Sequence, residues 1–183
     1  RPDIQFHFAT LSADQAGARP HPWSGCTFSV CQLRPESRGS IHCACPDPLA
    51  APLIRANYLT AELDRRCAVA ALRLSRRLAA AAPLRPLLGE EVRPGAAVRS
   101  DADLLAFARA QGATIFHPVG TCRMGGDAQA VVDHRLRVRG VAGLRVVDAS
   151  VMPVLVSGNT HAPTVMIAEK GAAMILEDAA DGG

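Results

Sequence analysis

Aromatic side chains and clustered positive charge are both scarce in this chain. Phe, Trp and Tyr together make up 4% of its 183 residues, and lysine occurs once, at Lys170. The other basic residues are arginines scattered along the sequence, which carries a formal net charge of +3. Nucleic-acid sites need cations grouped on one surface, often with aromatic rings that stack on bases. The composition therefore argues against nucleic acid as a partner.

A long uninterrupted hydrophobic run is also missing. The most apolar stretch, Cys67 to Leu88, is broken by four arginines, whereas a membrane-spanning helix needs about 20 predominantly apolar residues. We therefore expect no membrane span. The sequence starts with Arg1 and shows neither an initiator Met nor a signal peptide, so we expect a cytoplasmic protein and a piece of a longer polypeptide.

The six cysteines do not follow a metal-binding spacing. Cys26 and Cys31 are separated by four residues, and Cys43 and Cys45 by one, beside His42. A structural zinc site usually takes paired C-x2-C arms. A chain of this length with 49% hydrophobic residues can build a core without disulfides. We expect reduced thiols and no metal site, with a Cys/His metal module as an alternative.

Hydrophobic alternation predicts strands in the first quarter of the chain. Residues 3–8 and 26–33 alternate apolar and polar side chains, as half-buried strands do. The composition of residues 34–39 predicts a turn, and residues 40–45 are then expected to return as the second strand of a hairpin with 26–33. Three prolines in residues 46–52 exclude regular structure there.

Apolar residues at helical spacing and capping residues predict three helices. The first is expected to have Thr60 as its N-cap, and the second to be capped by Ser100 with Asp103 three residues on. The expected boundaries are Thr60 and Pro83 for the first helix, Ser100 and Gly112 for the second, and Pro163 and about Asp178 for the third. Between the second and third helices, residues 144–148 are nearly continuously apolar and predict a short strand covered on both faces.

Two histidines lie among small and turn-forming residues that set them apart from the other four. One opens the sequence HPVGTCRMG at His117, and the other lies within NTHAPT at His161. An imidazole in such a setting can carry proton chemistry near neutral pH, although an isolated histidine is more often structural. His7, His21, His42 and His134 lack this context and are interpreted as structural.

Several sequence blocks, in order, resemble the C-terminal portion of a glucose-methanol-choline (GMC) oxidoreductase of the choline and alcohol dehydrogenase branch. They are residues 2–8 (PDIQFHF), 33–39 (LRPESRG), 47–52 (DPLAAP), 57–59 (NYL) and the two histidine motifs. The resemblance implies an α+β fold. Residues 1–121 would be the remainder of the substrate-binding domain, an antiparallel sheet with helices, and residues 122–183 a strand-helix segment that returns to the FAD-binding domain.

The resemblance implies oxidation of the CH–OH group of a small-molecule alcohol, with hydride passing to N5 of FAD. His117 matches the family's catalytic base and His161 the second member of the pair, where many choline-type members carry Asn. This departure argues against choline as substrate. The chemistry is consistent, because an imidazole must accept the hydroxyl proton as hydride leaves and a second polar group must hold the oxygen. The electron acceptor, a quinone, a carrier protein or oxygen, stays open.

The resemblance also assigns a cofactor-binding set. Its members are Asp148, Ala149, His161, Pro163 and Thr164. The N–H groups and positive dipole end at the start of the last helix would stabilise negative charge on a reduced flavin. The sequence contains no G-x-G-x-x-G loop for the ADP half of FAD. We expect the isolated chain to bind FAD weakly and to be inactive, and a noncatalytic ligand-binding or assembly domain is the alternative function.

Overall fold

The computed structural model describes residues 1–15 and 17–181. The chain divides into two compact units, one made of Arg1–Arg38 and Asn57–Ala113 and the other of Gly39–Ala56 and Thr114–Gly183. This division reflects local packing. The assignment of residues 1–121 and 122–183 to two domains of a longer protein therefore stays a prediction.

The first unit is built on an antiparallel strand pair, β1 (Ile4–Ala9) and β2 (Thr27–Gln32). Phe8 lies opposite Phe28, and the two rings meet edge to face with their centroids 5.0 Å apart. Such cross-strand aromatic pairs stabilise a sheet and fix its register. Both predicted strands are confirmed, with ends that lie within one residue of those predicted.

Two helices complete this unit, α1 (Glu62–Ala79) and α2 (Asp101–Gln111). α1 contacts both β2 and α2, and Leu104 of α2 is fully buried. The backbone N–H of Asp103 donates to Ser100 Oγ at 3.1 Å, which confirms the predicted cap of the second helix. α1 ends at Ala79, before Pro83 is reached.

Thr60 does not cap the N-terminus of α1, and a distant serine binds the two residues that precede the helix. The N-cap residue is Ala61, which has no capping side chain, and the hydroxyl of Thr60 donates to the carbonyl of Asn57. Ser37 Oγ instead accepts hydrogen bonds from the backbone N–H groups of Thr60 and Ala61, each at 3.0 Å. The predicted Thr60 cap is therefore wrong, because the N-cap position falls one residue later and the hydroxyl of Thr60 is bound to the carbonyl of Asn57.

A buried carboxylate ties the same loop to α1. Asp64 accepts hydrogen bonds from Gln32 Nε2 at 3.0 Å, from the N–H of Glu36 at 2.9 Å and from the N–H of Ser37 at 2.7 Å. Burial opposes ionisation of this group, but the donated hydrogen bonds outweigh that cost and hold the pKa of Asp64 below its ordinary value. The loop after β2 is thereby fixed against the helix.

The predicted hairpin between residues 26–33 and 40–45 does not form. β2 pairs with β1, while β3 (Ser40–His42) pairs antiparallel with β4 (Leu53–Arg55) in the second unit. Within the predicted turn, the N–H groups of Glu36 and Ser37 are bound to Asp64, so the segment is held against α1 instead. At Gly39 an added Cβ would lie 2.3 Å from the carbonyl oxygen of Arg55, so only glycine permits this backbone approach.

The second unit has a small apolar core in which Val132, Leu136 and Val151 are buried. Side chains that pack against this core are Met124, Val131, Val138, Val146, Val147 and Ile167. The segments around the core form only isolated bridges, such as Met124 with Val132 and Val132 with Val138. The core is therefore held by packed loops more than by a continuous sheet.

The strand predicted at residues 144–148 is absent from the described structure. This stretch makes one isolated bridge, Arg137 with Arg145, and Leu144 is 50% exposed. It leads into a short 3-10 turn, Ala149–Val151, in which the N–H of Ser150 is capped by Asp148. The apolar pattern reflects a loop that buries Val146 and Val147 partly against the core, not a strand covered on both faces.

The last helix, α3 (His161–Asp181), begins two residues before the predicted start at Pro163 and extends past Asp178. Proline is tolerated in a first turn because its missing N–H would have no intrahelical partner. Near the other end, Arg135 contacts Glu177 Oε2 at 3.0 Å and Asp178 Oδ1 at 2.6 Å, and Arg145 also pairs with Asp178. These ion pairs tie α3 to the loops around the core.

Within the described residues, no helix combines the length and the apolar character that crossing a bilayer requires. The cysteines of the described chain are free thiols. The structure also places no group of three or more His, Cys, Asp or Glu side chains of that part of the chain in a metal-binding arrangement.

Candidate active site

His117 lies in an irregular segment that follows α2 and is anchored to the end of the Ala149–Val151 turn. The N–H of Cys122 donates to the carbonyl of Ser150 at 3.1 Å, and the N–H of Met124 donates to that of Val151 at 2.8 Å. Gly120 has φ of +89°, and an added Cβ would lie 3.4 Å from the carbonyl oxygen of Met152. The glycine therefore lets the chain turn tightly just after the histidine.

Both ring nitrogens of His117 have hydrogen-bond partners. Nδ1 lies 2.8 Å from Thr160 Oγ1, and Nε2 lies 2.7 Å from Asn159 Nδ2. Thr160 is buried, with 6% of its surface exposed, whereas Asn159 is exposed and His117 itself is half-buried. The ring is therefore held by its inner nitrogen on a buried hydroxyl and by its outer nitrogen on a surface amide.

Thr160 is fixed in turn by the first turn of α3. Its carbonyl accepts hydrogen bonds from the N–H of Thr164 at 3.0 Å and from Thr164 Oγ1 at 2.6 Å. The side chain of Thr164, one of the predicted cofactor contacts, is thus engaged within the helix end. The hydroxyl of Thr160 and the position of α3 together determine where the His117 ring lies.

His161 is the first residue of α3, and its side chain is exposed. The two residues directly before it, Asn159 and Thr160, are the ones that the structure brings to the ring of His117. The catalytic role of His161 stays a prediction. Sequence reasoning missed Asn159 and Thr160, although both lie within the motif that drew attention to His161.

The other predicted cofactor contacts lie around the same helix end or on the preceding turn. Asp148 is exposed, and its Oδ1 accepts a hydrogen bond from the N–H of Ser150 at 2.7 Å. Ala149 and Pro163 are half-buried. The N–H groups of His161 and Ala162 precede the first intrahelical hydrogen bond of α3, which Thr164 donates. These amides lie at the positive end of the helix dipole, where an anionic group is stabilised.

Comparison with known proteins identifies the family. A family model described as GMC oxidoreductase matches residues 35–168. The chain is 44% identical over 176 residues to an alcohol dehydrogenase [acceptor] of Pseudomonas putida, covering 96% of this chain and 32% of that protein. It is 43% identical over 169 residues to an oxygen-dependent choline dehydrogenase of Proteus mirabilis, covering 92% of this chain and 30% of that protein.

Solved structures agree with these matches. Pyridoxine 4-oxidase from Mesorbium loti superposes with a TM-score of 0.85 at 32% identity, over 94% of this chain and 34% of that one. Formate oxidase from Aspergillus oryzae RIB40 gives a TM-score of 0.89 at 27% identity, over 99% of this chain and 32% of that one. The chain thus spans about a third of the length of these relatives. The predicted family and the mixed α and β fold class are confirmed: the chain belongs to the GMC oxidoreductase family and corresponds to its C-terminal region.

Proposed function

We propose that this chain forms part of an FAD-dependent oxidoreductase that oxidises the CH–OH group of a small alcohol, with His117 as the base. The observation that carries the proposal is the placement of His117, whose two ring nitrogens are both held beside the start of α3. Relatives named alcohol dehydrogenase and choline dehydrogenase support the substrate class. The assignment of residues 1–121 to substrate binding and of 122–183 to the FAD domain belongs to this proposal.

Groups of this chain fit the flavin ring of the cofactor. The amides of His161 and Ala162 lie at the positive end of α3, and such a helix end suits the electron-rich pyrimidine side of a reduced flavin. The remaining members of the proposed set are Asp148, Ala149, Pro163 and Thr164. The ADP half of FAD would need a glycine-rich loop, and no G-x-G-x-x-G occurs in this sequence.

The proton of the alcohol is the part of the reaction that this chain handles. Bound FAD would supply the acceptor for the hydride that leaves the alcohol carbon. An alcohol hydroxyl does not ionise near neutral pH, so a base must take its proton as the C–H bond breaks and the carbonyl forms. In this proposal His117 accepts that proton, and His161 holds the alcohol oxygen so that both transfers share one geometry.

The substrate is proposed to be an alcohol other than choline. Choline-type members of the family commonly carry Asn at the position that His161 occupies here. The electron acceptor that reoxidises the flavin is left open among a quinone, a carrier protein and oxygen.

Rapid mixing of the FAD-loaded holoenzyme with alcohols, without an electron acceptor, tests the role of His117. We expect His117→Ala to slow flavin bleaching by about 10²- to 10⁴-fold, because general-base catalysis contributes on that scale. His134→Ala is the matched control, since His134 is exposed and lies outside the proposed site; its rate of bleaching is expected to equal that of the wild type.

Two results would count against the proposal in different ways. An unchanged bleaching rate in His117→Ala would remove His117 as the base. A wild-type holoenzyme whose flavin is reduced by no alcohol in a broad panel would instead favour the alternative of a noncatalytic ligand-binding or assembly domain.

A further inference from the structure

We infer that Cys43 and Cys45 form a reversible redox site, in which hydrogen peroxide joins the two thiols in a disulfide and a thiol reductant opens it again. The proposed alcohol oxidation uses neither side chain, so the inference goes beyond that function and does not depend on it. The C-x-C sequence lacks the spacing of a zinc site, but it suits a bond between the two sulfur atoms.

The two cysteines lie close together because of their spacing along the chain. Only Ala44 separates them, so their Cα atoms would be about 7 Å apart if the backbone were fully extended. The chain instead bends at residues 44–46, which shortens that separation toward the range of about 4.4–6.8 Å that disulfides span. This proximity is local, so it does not depend on which other surfaces pack against the segment.

The backbone around the pair can accommodate the bond. β3 ends at His42, which is paired with Leu53 of β4, so both cysteines lie outside the strand pair. The turn that follows is held by contacts that begin at Asp47, whose Oδ1 accepts a hydrogen bond from the N–H of Leu49 at 2.9 Å. Closing the disulfide therefore leaves the pairing of β3 with β4 and the contacts of this turn in place.

The other four cysteines are less suited to this chemistry. They are half-buried, whereas Cys43 and Cys45 are exposed. Burial raises the pKa of the Cys31 and Cys67 thiols, and peroxide reacts with the thiolate form. Cys26 directly precedes β2 and Cys31 lies within it. Five residues of extended chain place their Cα atoms about 16 Å apart, too far for a disulfide.

The reaction balances with hydrogen peroxide as the oxidant. The thiolate of one cysteine attacks a peroxide oxygen, the O–O bond breaks, and the sulfur becomes a sulfenic acid while hydroxide leaves and takes up a proton. The second thiol attacks that sulfur, forms the S–S bond and expels water. Two thiols thus lose two protons and two electrons, and one peroxide becomes two waters. Because the disulfide lies on an exposed segment, another thiolate can attack it, so a dithiol reductant opens it.

Mass spectrometry of a single peptide tests the inference. Trypsin cleaves after Arg38 and Arg55 and releases both cysteines together in residues 39–55. The FAD-loaded holoenzyme is treated with a small molar excess of hydrogen peroxide without alcohol, blocked with iodoacetamide in denaturant and digested without reductant. We expect this peptide to carry no label and to be lighter than its reduced form by two hydrogen atoms. Dithiothreitol added before blocking should restore both labels.

Cys45→Ser removes the second thiol and should make the oxidation irreversible. After prolonged peroxide treatment, the fraction of Cys43 that dithiothreitol recovers should fall by at least about tenfold, because the sulfenic acid is no longer trapped and continues to the sulfinic acid. Cys26→Ser is the matched control, since it removes a half-buried thiol and leaves the pair intact. Its peptide 39–55 should behave as that of the wild type does.

The wild-type peptide alone can overturn the inference, even if a variant fails to fold. Two labels after peroxide treatment would show that the thiols are not oxidised, and sulfinic acid in place of a disulfide would show that the two sulfurs do not meet. A disulfide to another copy of the chain, or to another cysteine, would equally contradict a bond within the pair. Flavin reduction by an alcohol is not measured here, so these outcomes are separate from a failure of the proposed function.

Discussion

At the scale of single residues, Asp64 organises the first unit. The residue is 2% exposed, and in the part of the chain that the structure describes its carboxylate is held by N–H donors rather than by a cation. A buried charge is stable only when its lone pairs are occupied. The three hydrogen bonds come from β2 and from the loop that follows it, so one side chain joins β2, the loop and α1.

We expect Asp64→Asn to lower the free energy of unfolding by about 2–4 kcal/mol. The amide keeps one acceptor oxygen but turns an NH2 group toward backbone N–H groups that already donate. Urea unfolding at pH 7 measures the change. Asp127→Asn serves as the control, because Asp127 is exposed and its pairing with Arg123 is a surface contact that solvent screens. Equal urea midpoints for wild type and Asp64→Asn would contradict this role.

At the scale of elements, local signals predicted the helices well, and distant contacts explain the errors. Ser100 caps α2 as its spacing with Asp103 predicts, because that cap involves residues three apart. Ser37, more than twenty residues away, binds the N–H groups of Thr60 and Ala61, and the N-cap position falls on Ala61, so Thr60 was the wrong choice. The hairpin prediction failed for the same reason, since strand pairing depends on contacts that adjacent residues do not encode.

The candidate site shows the same limit. The motif around His117 and the start of α3 could be predicted from local sequence. The partners of the His117 ring could not, because Asn159 and Thr160 reach it across a separation of 42 and 43 residues. Neither side chain carries a sequence pattern of its own that marks it as the partner of a distant histidine.

Gly171 determines how closely α3 packs on the core that supports the site. It is buried, and an added Cβ would lie 2.5 Å from Val147 Cγ1 and 3.3 Å from Leu136 Cδ1. Alanine in place of glycine normally stabilises a helix interior by about 1 kcal/mol. Here we expect the opposite sign: overpacking in Gly171→Ala should lower the free energy of unfolding by about 1–3 kcal/mol. Thermal unfolding followed by circular dichroism measures the change.

Two further variants make the Gly171 prediction specific. In a double-mutant cycle, Val147→Ala should recover part of the loss in Gly171→Ala, with a coupling of at least about 0.5 kcal/mol. Gly126→Ala is the control, since an added Cβ there meets open space. A stabilised Gly171→Ala variant, or additive effects of the two substitutions, would contradict close packing at this point.

At the scale of the whole chain, lowered pKa values are concentrated in carboxylates. Arginines or backbone amides hold these groups in their charged form. They are Glu62, Asp64, Asp127, Asp133 and Asp178, and they occur in both compact units. Exposed ion pairs contribute little to stability and weaken with salt. Hydrogen bonds to a buried carboxylate contribute more and are not screened by salt in this way. The response of the chain to acid should therefore depend mostly on Asp64.

The sign of that response follows from linkage between ionisation and folding. A carboxylate whose pKa is lower in the folded state stabilises the fold above its unfolded value, about 3.9 for Asp, and this stability is lost as the pH falls through the folded value. We expect the urea midpoint of the wild type to be level from pH 7 to about 5 and to fall below about pH 4. The urea midpoint of Asp64→Asn should be lower than that of the wild type at pH 7 and should fall less steeply with pH. Added salt should change this difference between the two proteins little. If the urea midpoints of both proteins fell equally with pH, the loss of stability in acid would come from the surface ion pairs instead. Asp64 would then contribute nothing to it.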